Sequence, residues 1–228
     1  MKRIHIIGKD LEKIEGMKEI LESHGFEYVE ENPDVVITYG GDGMFLIAER
    51  MFPGVPKIPL KDSEVGNKCC DLDLGEVLER YSSGAFEIEE IRKLKAVHRG
   101  RFEVRELLGT NDIVIRNSLP TEAVRFNVGE IGEFIGDGVV VSTAYGSSGY
   151  FSSITGKEFE EGVGLAFNNV TESHEPLILS GEEKIEIKII RGPAVLVADN
   201  NRDYINLENG DKVMIEQIDE VARRIVLK

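Results

Sequence analysis

A tetrapeptide of three glycines and one aspartate, Gly40 to Gly43, is the segment of the chain best suited to phosphate chemistry. Glycines lack a Cβ atom, so they permit a tight turn and let a diphosphate approach the main chain closely. An aspartate among them could bind Mg²⁺ or accept a proton from a hydroxyl nucleophile. An ordinary glycine turn with a capping aspartate is the alternative. We therefore treat Asp42 as the candidate catalytic residue, and Gly40, Gly41 and Gly43 as candidate phosphate-binding residues.

A second segment, residues 142–153, concentrates hydroxyl groups and glycines without adding charge. Such a loop is suited to hydrogen bonds with a ribose and with the edges of adenine. The same residues could instead form a polar turn from a strand to a helix, with a serine at the N-cap. Its hydroxyl groups include those of Thr143, Ser147, Ser148, Tyr150, Ser152 and Ser153.

The elements around the glycine turn predict a parallel α/β layer. The apolar run RIHIIG ends at a glycine and precedes an amphipathic stretch, residues 10–24, which predicts a strand followed by a helix. A buried strand over residues 35–39 then runs into the glycine turn, and residues 44–52 have helical character. Open α/β sheets bind ligands where a strand passes into a helix. We expect Rossmann-like winding in this part of the chain.

From Phe86 onward, short strand-like runs separated by Gly, Pro and Asn turns predict an antiparallel β domain. The composition changes near residues 81–84, where we place the domain boundary. The expected fold class is α/β plus β. A Rossmann-like domain over residues 1–83 precedes a β-sandwich-like domain over residues 84–228, whose extreme C-terminus packs back on the first domain.

Composition excludes several classes of function. The net charge is −15 with a pI of about 4.8, which argues against binding to nucleic acid or an anionic membrane. The two cysteines are adjacent, so their spacing fits neither a zinc site nor a redox motif, and we interpret them as core or near-core thiols. The sequence contains no run of about 18 apolar residues, which is the length that a membrane span needs. We expect a cytoplasmic protein.

Two further segments follow the glycine turn: Asn111-Asp112 begins the run DIVIRN, and Asp137-Gly138 leads through VVVST into AYGSSGY. In this order and spacing, the segments resemble the NAD kinase family, whose pattern is GGDGT, an Asn-Glu pair, and a DG followed by STPTGSTAY. The resemblance is to a short and divergent member. It implies a kinase that transfers a terminal phosphoryl group from ATP or polyphosphate to the 2′-hydroxyl of the adenosine ribose of NAD, making NADP.

The resemblance also implies roles for single residues. Asp42 would be the catalytic aspartate, and Mg²⁺ with the main-chain amides of the glycine turn would stabilise charge on the moving phosphoryl group. Asn111 and Asp112 would bind the adenosine side of NAD, and Asp137 would lie at its nicotinamide end. The other expected NAD-binding residues belong to the hydroxyl-rich loop: Thr143, Ser148, Gly149, Tyr150 and Ser153. No residue is assigned as a metal ligand.

The chain departs from the family pattern at several positions. Met44 follows GGDG where a threonine or serine is usual, Ala144 and Tyr145 replace a Pro-Thr pair, and Glu175 stands where an arginine is usual. Two other functions stay open at this point. One is a lipid or sugar kinase that shares the GGDG turn, and the other is a non-catalytic NAD(P)-binding protein.

Assembly is the last expectation from the sequence. Family members that resemble this chain form homodimers or homotetramers through the β domain, so the resemblance implies a homo-oligomer. The runs KIEIKII and PLILS predict edge strands that would otherwise be exposed. The expected ligands are NAD and ATP.

Overall fold

The computed structural model describes residues 2–62, 68–100 and 103–228 of the chain. The chain divides into two compact units, Met1–Ile91 with Val221–Lys228, and Arg92–Glu220. Two long strands, Phe86–Arg99 and Lys212–Leu227, contribute residues to both units. The expected domain boundary after residue 83 lies earlier than this division. The functions that the sequence assigns to the two expected domains stay predictions.

The first unit is a parallel sheet with helices. Its strands pair in the order β2-β1-β3-β4, all parallel, and the end of the last strand of the chain joins β4 through Arg224 opposite Lys57. The elements are β1 (Arg3–Gly8), α1 (Leu11–Ser23), β2 (Glu27–Tyr28), β3 (Val35–Tyr39), α2 (Asp42–Met51), β4 (Lys57–Leu60), α3 (Leu74–Ser83) and β5 (Phe86–Arg99).

Local capping and an apolar core explain why these residues form these elements. Asp10 and Asp73 accept main-chain N–H groups at the starts of α1 and α3, as N-cap aspartates do. The helices bury apolar side chains against β1, β3 and β4, and this burial is the main stabilising term of the unit. The core contains Ile4, Ile6, Ile14, Met17, Leu21, Val35, Ile37, Ile58, Val77 and Leu78.

The second unit is built from antiparallel strands. Its elements are β6 (Val104–Gly109), β7 (Asp112–Asn117), β8 (Val124–Val128), β9 (Gly132–Gly136), β10 (Gly138–Thr143), a 3₁₀ helix (Tyr145–Ser148), α4 (Tyr150–Thr155), β11 (Val163–Asn168), β12 (Leu177–Leu179), β13 (Ile185–Arg191), β14 (Ala194–Ala198), β15 (Ile205–Leu207) and β16 (Lys212–Leu227).

Six of these strands form one sheet in the order β12-β11-β10-β7-β14-β15. A second group pairs in the order β16-β13-β8-β9, and β5 and β6 form an antiparallel hairpin. Alternate side chains of both groups meet in one apolar core, as in a β-sandwich. This core includes Ile113, Ile115, Val124, Phe126, Val139, Val141, Ile187 and Leu196. Helix α4 packs on the other face of the first sheet through Phe151, against Val114, Val140 and Ala166.

The predicted fold class, α/β plus β, is confirmed: the N-terminal region is a parallel α/β layer and an antiparallel β unit follows it. The prediction of an edge strand for KIEIKII is wrong, because β13 lies between β16 and β8. The run PLILS does form an edge strand, since β12 is at the end of its sheet. No helix within the described ranges is long and apolar enough to cross a membrane.

Candidate active site

The glycine turn lies where the sequence predicted it, between β3 and α2. Gly40 has a φ of 150°, a backbone conformation that L side chains rarely adopt, and its N–H donates to the carbonyl of Leu60 at 2.9 Å. A Cβ atom on Gly40 would lie only 2.8 Å from the Cγ atom of the buried Met44. The turn therefore requires glycine at this position, and Met44 packs beneath it.

Asp42 is the first residue of α2 and follows Gly41, the N-cap residue. Its Oδ1 atom accepts the main-chain N–H of Lys68 at 3.1 Å and the thiol of Cys69 at 3.5 Å. A carboxylate in the first turn of a helix is also stabilised by the helix dipole. The candidate catalytic group is thus a half-buried carboxylate held in a defined orientation.

The structure brings Asn111 together with the hydroxyl-rich loop in the second unit. The main-chain carbonyl of Asn111 accepts the N–H of Thr143 at 2.9 Å. A Cβ atom on Gly146 would lie 2.2 Å from that same carbonyl oxygen, so only glycine permits this close approach. The 3₁₀ helix therefore packs directly against the backbone that precedes β7.

The side chain of Asn111 supplies the clearest sign of a ligand in this unit. Its amide oxygen Oδ1 is buried and has no hydrogen-bond partner in the described part of the chain. A buried polar atom without a partner costs about 1–3 kcal/mol, so a water, an ion or a ligand would be expected to bind there. Ser148 lies on the adjoining 3₁₀ helix and is half-buried. These two side chains form a candidate ligand-binding edge.

Other expected NAD-binding residues have structural contacts. Thr143 is only 1% exposed, and its hydroxyl donates to the carbonyl of Thr110 at 2.8 Å and accepts the N–H of Gly146 at 3.0 Å. The hydroxyl of Ser153 donates to the carbonyl of Tyr150 at 2.7 Å. Thr143 therefore shapes the loop, while Ser153 supports α4.

Asp137 lies away from Asn111, at the opposite end of β10. The register of β10 on β7 pairs Ser142 with Asp112 and Gly138 with Arg116. Asp137 directly precedes Gly138, so it lies at the end of this strand pair that is remote from Asp112. Six strand residues span about 20 Å at roughly 3.4 Å per residue. Any single molecule that touches both Asn111 and Asp137 of one chain must therefore be extended.

A cavity of about 330 Å³ adjoins the Asp137 end. Asn169 lines this cavity and donates its amide N–H to the carboxylate of Asp137 at 3.1 Å. Glu175 also lines the cavity and pairs with Lys157 at 3.0 Å. The hydroxyl of Tyr150 accepts the amide N–H of Asn168 at 3.0 Å, so α4 reaches toward the same end.

Asp199 is a residue of this site whose role the sequence did not reveal. Because it directly follows the predicted strand AVLVA, it fits a turn residue and a second edge for a ligand equally well. Its carboxylate accepts three successive main-chain N–H groups, from Thr110 at 2.9 Å, Asn111 at 2.7 Å and Asp112 at 3.1 Å. Its φ of 51° is left-handed, which aspartate tolerates better than most residues. Asp199 therefore fixes the backbone that presents Asn111.

Asp112, at the start of β7, is 7% exposed. Burial, and to a smaller extent the nearby charge of Asp199, together raise the pKa of its carboxyl group to about 7. The carboxyl group is therefore partly protonated near neutral pH. In that form it can donate a hydrogen bond as well as accept one.

The raised pKa of Asp112 predicts a pH-dependent stability. An unfolded aspartate titrates near 4, so between about pH 4 and pH 7 the folded chain binds more protons, and stability falls as the pH rises through this window. Asp112→Asn should lack this fall. Between pH 4.5 and pH 8, its free energy of unfolding should therefore change in its favour relative to the parent by up to about 4 kcal/mol. Urea unfolding at both pH values measures the difference.

The control for this prediction is Asp203→Asn, because Asp203 is an exposed aspartate of the same unit. The control variant should follow the parent at both pH values. The assignment of a raised pKa to Asp112 would be contradicted by one result. This is a free energy of unfolding that changes equally in Asp112→Asn and in the parent between pH 4.5 and pH 8.

The chain matches a family model described as the ATP-NAD kinase C-terminal domain over residues 111–226. It is 27% identical over 201 residues to a bifunctional NADP phosphatase/NAD kinase of Methanocaldococcus jannaschii, covering 82% of this chain and 35% of that protein. It is 28% identical over 198 residues to an NAD kinase of Paraburkholderia phytofirmans, covering 81% of this chain and 66% of the relative. The chain thus spans less than two thirds of the length of both relatives.

A solved structure of yeast NADH kinase, in complex with NADH, has the same fold. The match has a TM-score of 0.88 at 16% identity and covers 100% of this chain and 84% of the yeast chain. At this identity the likeness concerns the fold alone. The family model covers more than half of the chain and includes Asn111, Asp137, Asp199 and the loop between them. The chain therefore belongs to the NAD kinase family.

Proposed function

We propose that this chain is an NAD kinase that transfers the terminal phosphoryl group of ATP to the 2′-hydroxyl of the adenosine ribose of NAD, making NADP. The observation that carries this proposal is an oriented carboxylate, Asp42, on a glycine turn between a strand and a helix, in a member of the NAD kinase family. The family match favours an NAD kinase over a lipid or sugar kinase. Polyphosphate is the alternative donor.

Asp42 is proposed to orient the attacking hydroxyl and to accept its proton. Gly41 and Gly43 flank it at the N-terminus of α2, where main-chain N–H groups and the helix dipole favour phosphate. Such a step needs no covalent intermediate, because phosphoryl transfer depends mainly on positioning and on charge stabilisation.

Mg²⁺ is proposed to act as a complex with the donor. Among the described residues, no group of three or more His, Cys, Asp and Glu side chains could hold a metal ion. Mg²⁺ commonly keeps several waters and binds through substrate phosphates rather than through a protein cage. When bound to the phosphates of ATP, it would neutralise their charge, and we assign it no protein ligand.

The acceptor NAD is proposed to bind the second unit in an extended form. The buried oxygen of Asn111 would accept a hydrogen bond from the adenosine, with Asp112, Ser148 and Gly149 beside it. The nicotinamide end would lie toward Asp137 and the cavity lined by Asn169. In this arrangement, Thr143, Tyr150 and Ser153 shape the loop and α4.

An assay of NADP formation tests the proposal. The purified chain should form NADP from NAD with ATP and Mg²⁺, and the assay is repeated with polyphosphate and with NADH as acceptor. Binding of NAD without turnover under all these conditions would instead support the non-catalytic NAD(P)-binding protein. Phosphorylation of a lipid or sugar with no phosphorylation of NAD would support the other alternative.

Asn111→Ala should raise the KM for NAD and leave the KM for ATP within about twofold. The loss of one buried hydrogen bond costs about 1–3 kcal/mol, which corresponds to roughly a 5- to 150-fold change. Initial rates at varied NAD and varied ATP separate the two constants. Asn206→Ala, at an exposed position on β15 of the same sheet, is the matched control. A raised KM for ATP with an unchanged KM for NAD would reverse the assignment.

We also propose that the chain forms a homodimer or homotetramer in the cytoplasm. Support for the oligomer comes from β12, an edge strand whose Ile178 is 50% exposed, because an apolar edge strand is a common site of pairing between chains. The cytoplasmic location stays a prediction from the sequence.

A further inference from the structure

Cys69 contacts the candidate catalytic carboxylate although the two residues are 27 positions apart. Its Sγ atom lies 3.5 Å from Oδ1 of Asp42, and the main-chain N–H of the preceding Lys68 donates to the same oxygen at 3.1 Å. The sequence gives no sign of this contact, since two adjacent cysteines indicate only core or near-core thiols. Cys70 does pack against the apolar core of the first unit.

We propose that Cys69 is a positioning residue for phosphoryl transfer: its thiol, together with the N–H of Lys68, holds Oδ1 of Asp42 and so fixes the direction of the whole carboxylate. The proposal rests on the proposed function of Asp42. It assigns Cys69 no contact with a substrate. A thiol is a weak donor, so a single such contact contributes modestly to orientation.

The segment that carries these two donors is anchored within the same unit. Arg224 donates from Nη1 to the carbonyl of Lys68 at 3.3 Å, and it forms an ion pair with Glu89 at 2.8 Å. Arg224 lies on the last strand, beside β4. The carbonyl of Lys68 is thus held by Arg224, while the N–H of the same residue holds the carboxylate of Asp42.

The thiol of Cys69 is suited to donate rather than to react. Burial first, and then the charge of Asp42 and the hydrogen bond to it, raise the pKa of the thiol to about 12, while Arg224 acts weakly in the opposite direction. The sulfur therefore keeps its proton near neutral pH, and a proton on sulfur is required for a hydrogen bond to a carboxylate. A reactive, low-pKa thiol would have the opposite surroundings.

Cys69→Ala should lower kcat about 2- to 5-fold, the lower part of the range for one hydrogen bond, because a thiol is a weak donor. Cys69→Ser keeps a donor at this position and should restore kcat to within about twofold of the parent. The KM for NAD should change little in either variant, because Cys69 does not contact the acceptor. Cys70→Ser is the matched control, since the side chain of Cys70 packs against the apolar core of the first unit.

A second measurement does not depend on activity. Asp42→Asn removes the charge that raises the pKa of Cys69, so N-ethylmaleimide should alkylate Cys69 faster at pH 8 in this variant than in the parent. Mass spectrometry of the peptide that contains both cysteines measures the rate, with Cys70 as the internal reference.

The two measurements separate failure of this proposal from failure of the proposed function. If the parent forms NADP but Cys69→Ala equals it in kcat, or Cys69→Ser is as slow as Cys69→Ala, the positioning role is overturned and the kinase function stands. If the parent forms no NADP, the proposed function fails, and an unchanged alkylation rate in Asp42→Asn would overturn the contact itself.

Discussion

Asp42→Asn is expected to lower kcat by roughly 10²- to 10⁴-fold, the usual contribution of a positioned general base. Asparagine has nearly the same size, and its side-chain oxygen can still accept the N–H of Lys68, so the turn should keep its structure. It cannot accept a proton from the attacking hydroxyl. The KM for NAD should stay within a few-fold, because the proposed acceptor residues belong to the second unit.

Steady-state rates of NADP formation and circular dichroism of the folded variant test this expectation. Asp73→Asn is the matched control, because Asp73 is also an aspartate at the start of a helix of the first unit and asparagine is an equally good N-cap. A folded Asp42→Asn protein that turns over at more than about a third of the parent rate lies outside the expected range. Asp42 would then only shape the turn.

The glycine turn could be predicted from the sequence because all its determinants are local. A buried strand, three glycines and an apolar helical stretch lie within residues 35–52, and each favours its own conformation independently of the rest of the chain. The order of the later segments then identified the family. The exact boundary of α2 was less clear, since the helix already begins at Asp42.

Other elements were harder to predict because their patterns mislead. The run EFIGDGVVVST has the apolar pattern of one strand, but Asp137 separates β9 from β10. Gly138 has a φ of 148°, and a Cβ there would meet the carbonyl of Ile115 at 2.0 Å. Strand β16 is hard to predict because charged and amide side chains such as Gln217 and Asp219 interrupt its apolar alternation.

The contacts that orient the site residues could not be predicted from the sequence at all. Asp199 binds backbone N–H groups 87 to 89 positions earlier, and Cys69 binds Asp42 27 positions earlier. Such pairs leave no periodic or compositional signal, because only the folded chain brings them together. The sequence therefore predicted the residues expected to touch substrate, while the structure was needed for the residues that hold them.

Asp199→Ala should have the largest effect on stability of the substitutions proposed for the second unit. It would leave the N–H groups of Thr110, Asn111 and Asp112 without their shared acceptor. Each unsatisfied buried donor costs about 1–3 kcal/mol, and with partial relaxation we expect a loss of about 3–5 kcal/mol in the free energy of unfolding. The same change should raise the KM for NAD, because Asn111 loses its fixed position.

Asp199→Asn distinguishes the hydrogen bonds from simple loss of a side chain. Its Oδ1 can still accept the N–H groups of Asn111 and Asp112, whereas Nδ2 replaces the oxygen that accepts from Thr110. We therefore expect a loss of about 1–3 kcal/mol, intermediate between the parent and alanine. Urea unfolding and the KM for NAD are measured for both variants, with Asp203→Ala at a nearby exposed aspartate as control. If Asp199→Ala unfolds within about 1 kcal/mol of the parent, below the cost of a single unsatisfied donor, then Asp199 does not hold the backbone of Asn111.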